Sequence, residues 1–292
     1  MANLKEIRTR IGSVSSTMKI TSAMKMVSAA KFKKAQNALL KFRPFHDKIL
    51  ELVLGLVNTK GIEGIEYLRP RKSIKNIAIL LLTSNNSMCG AFNANIIKEA
   101  IHTFELLQKK HPKATIKFYC LGKKGEEVLR HEGYKVKALN HDFIEKPGIQ
   151  ATKAIFNELF RLYKDGDIDR VDVVYNKFKN AASQEFKSEP LLPLANIASR
   201  RRRQDLNPPI FEPNSLGLLS KLFPYFLLNR LHDSILESSA SEHGARMTAM
   251  HQATENASTL HNELLLEYNK ARQAAITNEI LEIVTGANAL NG

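Results

Sequence analysis

The chain has 292 residues, 43% of them hydrophobic and 25% charged, a globular composition that suits one or two domains and excludes a disordered or collagen-like polymer. Its formal net charge of +14 points to an acidic surface or to nucleic acid as partner. No apolar run approaches the roughly 18 residues of a membrane span, and the basic, amphipathic start lacks the apolar core of a signal peptide, so the expected setting is the cytosol or a surface facing it.

In chain order, the first element is one long helix over residues 1–57. Leu4, Ile7, Ile11, Val14 and Met18 recur at the three-and-four spacing of a coiled-coil seam. The step then shifts through Ile20, Ala23, Val27 and Ala30, which keeps an apolar stripe but changes its phase. This stretch carries eleven basic against three acidic side chains.

Residues 75–195 read as an α/β domain. Ile77 to Thr83 is a continuous apolar run, the signature of a buried parallel strand; helices are expected over 93–110, 124–131 and 148–163, and further strands over 116–121, 135–139 and 171–178. Strands alternating with helices imply an open, mostly parallel sheet. Cys89 and Cys120 lie near the ends of two of these strands and read as packing thiols of a reducing compartment, without a metal-site spacing. Gly122-Lys123-Lys124-Gly125 follows a strand but lacks the order of a phosphate loop, and no G-x-G-x-x-G or G-x-S-x-G occurs.

A connection over 196–222 follows, its neighbourhood marked by Pro193, Pro208, Pro209 and Pro213, which oppose a regular helix. It contains the run Arg200 to Arg203, most simply a solvated loop. Beyond it, 223–292 reads as a second long helix: with no proline after Pro224, about 60 residues can span roughly 90 Å at 1.5 Å per residue. Met250, Ala253, Ala257, Leu260, Leu264, Tyr268, Ala271 and Ala275 supply its seam. From Ala240 to Gly286 it carries six acidic against three basic side chains, so opposite charge favours antiparallel docking on the first helix. His243 beside Glu242 reads as a surface or capping partner, and Glu279 with Glu282 as solvated charges.

Several runs carry a family resemblance. Leu4-Lys5-Glu6-Ile7-Arg8-Thr9-Arg10-Ile11 and Lys19-Ile20-Thr21-Ser22-Ala23-Met24-Lys25-Met26-Val27 open the chain. Tyr175-Asn176-Lys177-Phe178, Gln184 and Leu191-Leu192-Pro193-Leu194 lie in its middle. Ser241-Glu242-His243-Gly244-Ala245-Arg246-Met247, Tyr268-Asn269-Lys270-Ala271-Arg272-Gln273-Ala274-Ala275-Ile276-Thr277 and Glu279-Ile280 close it. In this order and over nearly the whole chain they resemble the gamma subunit of F-type, proton-translocating ATP synthases. One departure is Asn85-Asn86-Ser87-Met88-Cys89-Gly90 where that family usually has Asp-Arg-Gly-Leu-Cys-Gly; acid and base are lost together, and the turn is expected to survive.

The resemblance implies a long antiparallel coiled coil of the terminal helices with a central Rossmann-like open α/β domain. It implies a central-stalk rotor, itself non-catalytic, with the alpha and beta subunits (as a hexamer), the epsilon subunit and the c-subunit ring as partners. No direct nucleotide, nucleic acid, metal or other cofactor is implied, and membrane association would come through the complex, at the cytoplasmic face of a bacterial inner membrane. Rotor contacts with the beta subunit fall by resemblance on Met24, Lys25, Arg246, Gln273 and Thr277. Ile276, Ile280, Ile283, Val284, Ala287 and Leu290 form an apolar bearing tip. Two other readings stay open from the residues: a coiled-coil nucleic-acid binder, which salt-sensitive retention on DNA would reveal, and a nucleotide-dependent enzyme, which titration with ATP would reveal.

Overall fold

A computed structural model describes residues 4–57, 71, 73–145, 147–181, 183–194 and 215–291. The elements in order are α1 (Leu4–Val57), β1 (Asn76–Leu82), α2 (Phe92–Lys110), β2 (Thr115–Leu121), α3 (Lys123–His131), β3 (Val136–Ala138), α4 (Asp142–Glu145), α5 (Ile149–Lys164), β4 (Arg170–Phe178), β5 (Gln184–Leu192) and α6 (Ser215–Asn291). Arg200 to Arg203, and residues 196–214 of the expected connection as a whole, lie outside the described residues.

The five strands form one sheet in the order β3-β2-β1-β4-β5. β1 pairs in parallel with β2 and β4, β3 in parallel with β2, and β5 antiparallel with β4. β1 is buried along almost all its length because helices cover both of its faces. One face packs Ala78, Leu80 and Leu82 against Ile155, Phe156 and Leu159 of α5, Val53 of α1, and Phe223 and Leu227 of α6. The other packs Ile77, Ile79 and Leu81 against Ile96 and Ala100 of α2 and Leu129 of α3.

Two compact units divide the chain: Met1–Ser28 with Met247–Gly292, and Ala29–Arg246. In the first, the seam of α1 runs through Leu4, Ile7, Ile11, Val14, Met18, Thr21, Lys25 and Ser28, all buried or half-buried, with no change of phase. This corrects the expected shift: Ile20 and Val27 are 60% and 56% exposed. Hydroxyls take the seam because the helix itself satisfies them. Thr21 Oγ1 donates to Met18 O at 3.1 Å and accepts from Thr254 Oγ1 at 2.8 Å, while Ser28 Oγ donates to Met24 O at 2.7 Å. On α6, Met250, Ala257 and Leu264 are buried as expected, but Leu260 is 38% exposed and the half-buried His261 takes its place in the step.

In the second unit α1 and α6 also run antiparallel, as Phe42 meets His232 edge-on at 4.9 Å and Phe45 meets Tyr225 at 6.2 Å. α6 already begins at Ser215 and continues through Pro224. The proline removes one helical bond, at a typical cost of about 3 kcal/mol; burial of Leu219, Phe223, Phe226 and Leu227 around it offsets that loss. Neither β5 nor the four-residue α4 was expected from sequence. β5 is a charged edge strand interrupted by Pro190, placed where a strand can lack an N–H donor.

Candidate functional site

In an open α/β sheet, ligands enter at the carboxyl ends of the strands where the strand order reverses. Here that point lies between β1 and β4, and the residues that follow β1 form a tightly bonded loop. Ser84 N donates to Asn93 Oδ1 at 3.0 Å, and Ser84 Oγ donates to Asn86 O at 2.7 Å. Asn85 Nδ2 donates to His141 O at 3.0 Å and to Glu145 Oε1 at 2.9 Å, while its Oδ1 accepts from Lys123 N at 3.2 Å. One asparagine thus ties the loop to α3 and α4. The turn closes through Met88 at φ 64° and Gly90 at φ 60°.

The glycines after β2 serve packing. A Cβ on Gly122, whose φ is 117°, would lie 2.1 Å from Thr83 O, and one on Gly125 would lie 2.8 Å from Thr83 Oγ1. Gly125 N in turn donates to Thr83 Oγ1 at 3.0 Å. The close approach of α3 to β1 explains both residues of the Gly122–Gly125 spacing.

α6 lies across the crevice. Ser241 Oγ donates to Asn176 O at 3.2 Å, and Gln184 Nε2 donates to Ser241 O at 3.4 Å. Arg246 pairs with Glu242 at 2.5 Å and donates to Asn86 O at 3.0 Å and to Ser87 O at 3.5 Å. Gly244 allows the approach, since a Cβ there would come within 3.2 Å of Ala181 backbone. Phe32 of α1 packs on Phe178 at 5.7 Å.

The chemistry of these groups is that of packing. Burial pushes the Cys89 thiol up and the Cys120 thiol up to about 12, so both are poor nucleophiles at neutral pH. Burial, with Arg246 and Lys31 nearby, draws His243 down to about 4; it is a half-buried neutral imidazole rather than the expected surface partner. Burial pushes the Glu242 carboxyl up while Arg246 opposes it. A second buried acid pair lies on α6: Glu237 is raised to about 7 by burial and by Asp233, and Asp233 is itself raised. Arg43 reaches Glu237 at 3.4 Å, and Glu237 Oε2, Asp233 Oδ1 and His46 Nδ1 have no hydrogen-bond partner.

The five expected contact residues occupy different settings. Met24 and Lys25 are half-buried on α1, and Gln273 and Thr277 are exposed one turn apart on α6, where Thr277 Oγ1 donates to Gln273 O at 2.9 Å. Arg246 alone is buried and already paired. At the tip, Ile276, Ile280, Ile283, Val284 and Ala287 are exposed, Ile283 by 66%. The side chain of Leu290 lies outside the described residues. Sequence reasoning missed the acceptors Asn86 O and Asn176 O, because backbone carbonyls carry no side-chain signature, and missed the Asp233–Glu237 pair, whose four-residue spacing was the available signal.

A pair of long helices with a buried seam and an exposed apolar tip, together with an α/β sheet domain, makes up the architecture of a stalk-type subunit. A family model described as ATP synthase matches residues 3–290. The chain is 47% identical to the ATP synthase gamma chain of Flavobacterium johnsoniae, over 100% of both chains, and 38% identical to that of Chlorobaculum tepidum, over 99% of both. Among solved structures it is similar to a central stalk/c-ring chain of the Tetrahymena thermophila mitochondrial ATP synthase, with a TM-score of 0.55 and 26% identity over 80% of this chain and 99% of that one. It shares the fold of a chain from the Euglena gracilis mitochondrial ATP synthase, at a TM-score of 0.65 and 18% identity over 98% and 94%. The chain belongs to the ATP synthase gamma-chain family, whose members are non-catalytic central-stalk subunits of the complex. No described helix is long and apolar enough to cross a membrane.

Proposed function

We propose that the chain turns within a hexamer of alpha and beta subunits, carrying rotation of a membrane c ring to the catalytic sites, with epsilon beside its sheet domain at the cytoplasmic face of a bacterial inner membrane. The observation that carries this reading is the apolar surface its own fold leaves uncovered. Ile20, Met26 and Val27 on α1, and Ile276, Ile280, Ile283 and Val284 on α6, are each about half exposed or more. Surface of that kind calls for a partner, and an apolar sleeve has few directional bonds to break at each step of rotation.

Catalysis is biased by contact. A rotor changes nucleotide affinity at a site only by interacting differently with that site's conformations, and an asymmetric helix pair meets three equivalent subunits in three different ways. The contacts with the beta subunit fall on Met24, Lys25, Gln273 and Thr277, while Arg246 is already paired inside the chain. Exposed lysines of α1, such as Lys33 and Lys34, suit acidic loops of the hexamer. The test is affinity purification of the tagged chain at native expression level. Recovery of alpha, beta and epsilon subunits with ATP hydrolysis supports the reading; recovery of the chain alone, or with nucleic acid, removes it.

A further inference from the structure

We infer that Arg246 is a positioning residue whose main work is intramolecular: with Glu242 it clasps the loop after β1 onto α6, so that the sheet domain and this helix turn as one piece. This deepens the rotor reading and rests on it for its functional consequence, because the joint carries torque only if the subunit turns.

The geometry is that of a fork with both prongs occupied. One guanidinium nitrogen meets Glu242 Oε1 at 2.5 Å, and the other meets the carbonyls of Asn86 and Ser87 at 3.0 and 3.5 Å. Arg246 and Glu242 are 9% and 8% exposed, so the pair is held away from solvent, where a charge-assisted bond is strong and an unpaired charge is costly. What Arg246 grips is itself rigid. Asn86 O also accepts from Ser84 Oγ, and Asn93 Nδ2 reaches both Ser84 Oγ at 2.8 Å and Cys89 Sγ at 3.2 Å. Asn85 carries the connection on to α3 and α4. Arg246 thus adds a polar link from the loop after β1 to α6, beside the Ser241 bonds to Asn176 and Gln184 and the apolar packing of α6 on the sheet. A lysine in its place would neutralise Glu242 yet could not hold two acceptors in a fixed plane.

The chain contains its own reporter, since Cys89 sits in the clasped loop and Cys120 lies in β2. The experiment alkylates the assembled complex and follows both cysteines by peptide mass spectrometry, alongside the ratio of ATP-driven proton pumping to ATP hydrolysis. Arg246→Gln is expected to speed Cys89 labelling tenfold or more, leave Cys120 unchanged and lower the pumping ratio; Arg246→Lys falls between it and the parent. The double variant Glu242→Gln, Arg246→Gln, which no longer buries a lone carboxylate, is expected to recover most of both losses. Unchanged Cys89 labelling in Arg246→Gln overturns the clasp, and so does faster labelling of both cysteines, which would mean a loosened domain. A double variant with slow Cys89 labelling but no recovered pumping places the role of Arg246 in a partner contact and overturns the inference as well. Failure of the rotor reading is seen separately, as loss of alpha and beta subunits from the purified parent complex.

Discussion

Gly122 shows how a single missing methyl positions the site. Its φ of 117° and a virtual Cβ 2.1 Å from a backbone oxygen mean that any side chain must displace β1 or α3. Gly122→Ala is therefore expected to destabilise the chain by roughly 2–4 kcal/mol, read as a lowered denaturation midpoint. Glu237 carries a pH dependence of definite sign. Its carboxyl rises from 4.5 to about 7 through burial first and Asp233 second, with Arg43 and Lys177 opposing. The neighbouring Asp233 is raised in the same direction, facing His46, Arg43, Asp47 and Lys177. A folded state that holds a proton more tightly than the unfolded one loses stability as pH rises from about 4.5 to about 7, with the full penalty present above that. Glu237→Gln removes it, so the variant should gain stability relative to the parent between pH 5 and pH 8, by roughly 1–3 kcal/mol. Denaturant titrations at the two pH values check this; a constant difference would mean that Glu237 does not titrate in the fold.

Among the elements, the seam of the helix pair makes the sharpest prediction. Leu264→Ala removes a side chain that is almost fully buried and should cost about 2–4 kcal/mol. Leu260→Ala, on the exposed side, should cost under about 1 kcal/mol. Thermal unfolding followed by circular dichroism separates the two, and equal effects would return Leu260 to the seam. Both leucines looked alike in sequence. Periodicity located every helix but the four-residue α4, the four strands of the parallel part and the seam as far as Met18, because each rests on several apolar residues in step. It misread the seam beyond Met18, where Thr21 and Ser28 pack with their hydroxyls bonded to their own helix while Ile20 and Val27 face outward. Hydrophobicity alone cannot distinguish a side chain buried by the fold from one kept for a partner. β5 was hidden for the opposite reason: Glu185, Lys187, Glu189 and Pro190 disguise a strand whose order comes from its neighbour.

For the molecule as a whole, the rotor reading separates two activities that a misfolded chain would lose together. Met24→Lys places a second cation beside Lys25 and is expected to lower ATP-driven proton pumping several-fold while ATP hydrolysis falls by less than half. Pumping and hydrolysis measured on the same membrane vesicles decide it, and an equal decline in both would point to faulty assembly. The family was legible because the resemblance lay in long runs of side chains, one of which holds Arg246. The locking contacts of Arg246 were not, since it closes on the carbonyls of residues about 160 positions away in sequence.

The helix that lies across the switch-point crevice is covalently joined to the domain it covers, which turns occupancy into a question of competition. A tethered occupant acts at an effective concentration of the order of millimolar or more, so a diffusible ligand must first displace it. Its apparent dissociation constant rises in proportion to that effective concentration divided by the helix's own intrinsic constant. A ligand at this crevice would have to outbind the helix by that factor before it could open the domain.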